Sequence, residues 1–200
     1  AFQLGFMLYR YRREHVARAL PWLETIADAS GPRRADARFF YARAVMRMER
    51  HDEARRAWTE FRRRHPDDVR AEEAEYLSAW LYLDDDRHAA AVSAMGDYVA
   101  RHPTSPRLES ARWWLGWAHF RSGDCVRAAR QWDDLTGGNA GRAAQARYWR
   151  AVCLSEGGRP EDAAAIWTGI RAAAPFSYFG VLSARRLGDA LLPDVQARPD

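Results

Sequence analysis

Six histidines, two cysteines and 27 acidic residues are the side chains of this 200-residue sequence that could bind a metal, relay a proton or attack an electrophile. Their spacing argues against all three. His51 and His88 stand 37 residues apart, as do His65 and His102, and the second pair both sit in Arg-His-Pro. Ligands of one ion converge from separate elements, whereas residues at one fixed interval are copies of a single position. No HExxH, CxxC or Cys/His cluster at zinc spacing occurs, so no metal site is expected. Nucleophile elbow, glycine-rich phosphate loop and dinucleotide fingerprint are absent too, so no cofactor and no catalytic residue is expected within the chain.

The remaining polar clusters read as structure. Glu72-Glu73-Glu75 has the look of a solvated helix face, Asp84-Asp85-Asp86 of a turn, and Gly137-Gly138 of a helix C-cap. Glycosidic chemistry by paired carboxylates requires convergence that spacing alone does not supply. For Cys125 and Cys153 two free, half-buried thiols are expected, a disulfide being the alternative should the chain occupy an oxidising compartment.

Tryptophan is the other conspicuous residue type. The stretch SARWWLGWAHFRSGDCVRAARQW (110–132) holds Trp113, Trp114, Trp117 and Trp132. Indoles stack well on sugars and bases and equally well fill gaps between helices. The elements that carry them decide between the two uses. Ala17, Ala54, Ala91, Ala128 and Ala163 follow one another at intervals of 37, 37, 37 and 35 residues, each with Pro21, Trp58, Met95, Trp132 or Trp167 four positions on. Gly5, Ala42, Ala79, Gly116 and Ala151 form a second small column, preceded three positions earlier by Phe2, Phe39, Tyr76, Trp113 and Tyr148. Pro66, Pro103 and Pro175 close three of the units.

Each unit reads as two helices separated by a break at HD (51–52), DDD (84–86), SGD (122–124) or EGGRP (156–160). Small residues at matching places let helix axes approach, and large ones fill the space beside them. The expected fold is therefore all-α, a solenoid of about five helical hairpins plus a terminal helix, resembling tetratricopeptide repeats. Units are expected at 1–34, 35–68, 69–105, 106–139 and 140–175, a terminal helix at 176–188 and a linker at 189–200. Pro21 occupies the large column of the first unit, which predicts a kink or early stop there. Trp113 and Trp132 belong to columns that are bulky in every unit and are expected in the core. The columns of Trp114 and Trp117 admit Gln3 and Arg43, so these two are candidate groove aromatics.

A hydrophobic content of 48% suffices for a core, and no run of about 20 apolar residues is present to span a membrane. The net charge of +4 comes entirely from arginine, as a GC-rich coding sequence would favour. Arg62-Arg63-Arg64 and Arg33-Arg34 lie beside Asp67, Asp68 and Asp36, and mixed signs argue against a nucleic-acid partner.

Two stretches resemble one family specifically. ESARWWLGWAHFRSGDCVRAARQW (109–132) resembles the A-x-W-x-LGW-x-x-Y-x-x-G-D-x-x-x-A unit of soluble lytic murein transglycosylases. ARYWRAVCLSEGGRPEDAAAIWTGIRAAAPFSYFGVLSARRLG (146–188) resembles the unit that follows it there, matching at Tyr148, Trp149, Gly158, Arg159, Pro175, Ser177, Tyr178, Gly180, Leu182, Ala184, Arg186, Leu187 and Gly188; Phe179 replaces the usual second tyrosine. The resemblance implies a non-catalytic superhelical domain that frames peptidoglycan glycan strands and positions a covalently linked C-terminal lysozyme-like domain. The parent enzyme would cleave peptidoglycan to a 1,6-anhydro product, in the periplasm or cell envelope. The family's Glu-Ser-x-Phe and Gly-Leu-Met-Gln signature is absent; Glu109-Ser110 continues Ala-Arg and is no catalytic glutamate. No signal peptide precedes the first helix, and a fragment ending in a linker near Asp200 is the expectation. Phe176, Tyr178 and Phe179 would then mark the face on which the next domain docks. The alternative expectation is a stand-alone envelope scaffold that binds protein partners in its groove.

Overall fold

The computed structural model describes residues 2–10, 13–137 and 140–188. Eleven helices and no strand lie among them: α1 (Phe2–Arg10), α2 (Arg13–Asp28), α3 (Arg34–Arg47), α4 (His51–Arg64), α5 (Ala71–Asp84), α6 (His88–Arg101), α7 (Leu108–Arg121), α8 (Cys125–Asp133), α9 (Ala140–Glu156), α10 (Pro160–Ala173) and α11 (Tyr178–Leu187). They divide into two compact units, Ala1–Arg101 and His102–Asp200. Within each, consecutive helices pack as antiparallel neighbours, α1 to α6 in the first and α7 to α11 in the second. This is the all-α solenoid class, made of helical hairpins. Residues 189–200, expected as a linker, lie outside the described residues.

The small-and-large pattern builds both cores. Ala54, Ala91, Ala128 and Ala163 have no exposed surface, and Trp58, Met95, Trp132 and Trp167 are buried beside them. In the first unit Phe39 meets Trp58 edge-on at 5.1 Å and Phe61 at 5.4 Å. In the second, Gly116 lies so close under Trp132 that a Cβ there would come within 2.4 Å of the indole Nε1. That indole N–H donates to the Trp113 carbonyl at 3.4 Å, so the one polar atom of the ring is satisfied in the core.

The first hairpin departs from the expected register. Ala17 is exposed; Ala19 and Leu23 are the buried small and large residues, and a Cβ on Gly5 would meet Trp22 and Leu23. Nor does Pro21 stop the helix, since α2 runs unbroken from Arg13 to Asp28. Both corrections have one cause. Proline denies the Ala17 carbonyl its helical partner, which is tolerable on a face where water takes the donor's place. Placing Pro21 outward shifts the buried stripe by two residues, onto Ala19 and Leu23.

The bend inside four of the hairpins recurs in backbone detail. Glu49, Asp86, Gly123 and Gly158 adopt left-handed φ of 61, 56, 80 and 79°. The next amide, of Arg50, Arg87, Asp124 or Arg159, donates five residues back to the carbonyl of Val45 (3.3 Å), Tyr82 (2.8 Å), His119 (2.9 Å) or Leu154 (2.8 Å). This is a Schellman stop, which satisfies the last helical carbonyls locally. At the other kind of bend, Asp68 and Ser105 each accept the backbone N–H two residues on, at 2.9 Å in both cases.

Arginine is used between helices. Glu75 of α5 is buried between Arg62 of α4 at 2.7 Å and Arg101 of α6 at 2.6 Å. Buried Arg55 pairs with Asp85 at 2.6 Å and Asp52 at 2.5 Å, donates to the Leu81 carbonyl at 3.1 Å, and lies 4.6 Å over the Tyr82 ring. A buried charge without such partners would be strongly destabilising.

Tyr41 links α3 to α4, its hydroxyl donating to Glu53 at 2.9 Å. Burial, then the Glu53 carboxylate, pushes the phenol up to about 12. The unfolded chain ionises near pH 10 and the folded one later, so the stabilisation is complete below about pH 10 and fades as pH rises towards 12. Urea midpoints of the chain should therefore fall between pH ~9 and ~11. Tyr41→Phe should remove the part of that fall due to this phenol, and an identical fall in the variant would refute the assignment.

Candidate functional site

The residues proposed from the sequence fall into two places in the second unit. At α11, Ser177 supplies the N-cap: its Oγ accepts the Gly180 amide at 3.0 Å and donates to the Ala174 carbonyl at 2.8 Å. This turn holds Phe176 and Tyr178 outward, 96% and 72% exposed, while Phe179 turns in against Tyr148 at 5.5 Å. The three are thus not one surface: two are open and one is half-buried in the core of α9 and α10. The other conspicuous residues of this motif have mechanical roles. Gly180 approaches the Ala174 carbonyl too closely for a side chain, Arg186 donates to the Tyr148 hydroxyl at 3.4 Å, and Gly188 ends the helix at φ 77°.

On α7 the indoles divide as their columns predicted. Trp113, Leu115 and Gly116 are buried, whereas Trp114 and Trp117 are half-buried. Trp117 lies edge-on to Trp149 at 4.9 Å and 5.5 Å from Phe120, so its ring is packed by aromatics and exposed only in part. Trp114 packs against the same cluster.

No group of three or more metal-ligating side chains converges among the described residues. His51 is held between Asp85 (Nδ1 at 2.5 Å) and Asp84 (Nε2 at 3.3 Å), joining the start of α4 to the end of α5. His119 is buried and His65 half-buried, and burial is the first cause that holds each below the ordinary histidine value. Among the described residues no helix is long and apolar enough to cross a membrane.

Two features are placed only by the structure. Leu4, Met7 and Trp22 expose apolar surface on α1 and α2, and no repeat column marks Trp22 as outward. Cys125 and Cys153, 28 residues apart, are brought together in one groove of about 260 Å³ between α8 and α9. Only tertiary packing reveals that proximity.

Hairpins of this build, with small residues under large ones and Schellman stops at one period, define a helical repeat protein. The tetratricopeptide repeat family matches residues 42–106, 76–136 and 115–178, and the chain belongs to it. No curated protein matches. Among solved structures, MamA (AMB-1) is similar at TM-score 0.62 and 16% identity, over 84% of this chain and 94% of that one. Nearly identical TPR-like repeats from Podosopora anserina align at TM-score 0.64 and 15% identity, over 87% and 93%. A tetratricopeptide repeat protein of Parabacteroides merdae aligns at 0.63 and 14%, over 88% and 66%. At these identities the likeness concerns the fold.

Proposed function

We propose that the chain is a scaffold for protein partners, holding a partner segment against the half-buried aromatics of α7. The observation that carries this is the division on that helix: Trp113 is consumed by the core while Trp114 and Trp117 stay partly exposed. Rigid, partly desolvated indoles are the commonest anchors of protein interfaces, and helical hairpin repeats present them on a wall of fixed geometry. The family assignment supports the same use.

A second reading has its own motivation. The stretch SYFGVLSARRLG (177–188) resembles the lytic transglycosylase superhelix, and its Tyr178, with Phe176 just before it, stands exposed. In that reading the chain frames peptidoglycan strands in the cell envelope beside a catalytic domain.

The wild-type chain and Trp114→Ala, with helix content checked by circular dichroism, serve as baits against proteins of the source cells, and both are sedimented with purified peptidoglycan. Proteins enriched by wild type and lost by about tenfold with Trp114→Ala support the scaffold, since one hot spot is worth that much. Sedimentation with peptidoglycan that Tyr178→Ala abolishes supports the second reading. Equal capture by wild type and Trp114→Ala overturns the role given to α7.

A further inference from the structure

Cys125 opens α8 and Cys153 lies in the last turn of α9. The first is half-buried and the second buried, and both are free. Both pack in the Trp132 cluster and line the same groove. Each thiol lies close enough to act on the other's protonation. The Cys125 thiol also donates to the Glu156 carboxylate at 3.5 Å.

Two thiols that line one groove and share one packed cluster on neighbouring helices are placed to bond. We propose that Cys125 and Cys153 are a reversible disulfide site, closed by a low-molecular-weight disulfide such as oxidised glutathione. The Cys125 thiolate, the more accessible, attacks one glutathione sulfur; the glutathione S–S bond breaks and one glutathione thiolate leaves. Cys153 then attacks Cys125 in the mixed disulfide and expels the second. Two protein thiols are oxidised, oxidised glutathione is reduced to two thiols, and the two protons released by the protein end on them. The second step is intramolecular, so it outcompetes return of the first glutathione.

Burial pushes both thiols above the ordinary cysteine value, leaving little thiolate at neutral pH. Exchange is therefore slow and accelerates as pH rises. The bridge would tie the start of α8 to the end of α9, two helices that the Arg150–Asp133 ion pair at 2.6 Å already links. The inference is independent of which partner the chain binds.

The test uses the whole folded chain in glutathione buffers at pH ~8, quenched by alkylation and read by intact mass and peptide mapping. The expected end product has lost two hydrogens, yields a peptide joining Cys125 to Cys153, and exceeds the glutathione adduct by about tenfold or more. Cys125→Ser should abolish the product. A glutathione adduct on Cys125 as the end product overturns the proposal. So does full alkylation of both thiols after oxidation of a chain that stays folded.

Discussion

Trp132→Ala should lower the stability of the second unit by about 3–5 kcal/mol, the range for emptying a buried aromatic site. The indole has no exposed surface. It lies 5.6 Å from Trp113, 6.1 Å from Phe120 and 6.4 Å from Trp149, so its removal opens a void bordered by three rings. None of these can collapse into the space without abandoning its own contacts. Gly116 deepens the void, because the helix face beneath the ring carries no side chain. Against a domain stability of about 5–15 kcal/mol, such a loss removes at least about a fifth. Urea unfolding followed at 222 nm measures it, and a loss below about 1 kcal/mol would show that the ring is not the centre of this core. Trp132→Phe, which refills part of the space, should recover a large share.

Gly180→Ala should detach α11 while leaving α7 to α9 folded. A Cβ there would come to 2.0 Å from the Ala174 carbonyl oxygen and 3.0 Å from that of Pro175. Both are backbone atoms at the end of α10, so no side-chain rotation relieves the clash. The start of α11 must lift, breaking the Ser177 cap and uncovering Phe179 and Leu182, at a cost of about 2–3 kcal/mol. Ser177→Ala, which removes the cap and keeps the packing, should cost about 1 kcal/mol. Hydrogen exchange separates these outcomes by location. Amides of α11 should lose protection in Gly180→Ala while those of α7 keep theirs, and retained protection in α11 would refute the argument.

Much of this was legible in the sequence because the repeat states each packing rule several times. Trp113 and Trp114 are neighbours of identical chemistry, yet their columns told them apart: one is bulky in every copy, the other admits glutamine. Where a position occurs once, that comparison fails. Pro21 satisfied the interval but not the face, and the buried stripe of α2 moved to Ala19 and Leu23. Phe176, Tyr178 and Phe179 look equivalent on paper and are parted by one serine cap. The left-handed bend is announced by glycine at 123 and 158 but hidden under glutamate at 49 and aspartate at 86. For the cysteine pair the chain order leaves free thiols and a disulfide both open, since the contact is made across two helices.

The bends at 49, 86, 123 and 158 carry a consequence for how such a chain can grow. Every backbone–backbone hydrogen bond of each elbow closes within a few residues of itself, so the turn needs no main-chain partner from the hairpins on either side. A copying error in the gene that inserts or removes one whole period therefore delivers a cassette with its own punctuation. Lengthening this protein requires only that the cut fall at the same peptide in two copies.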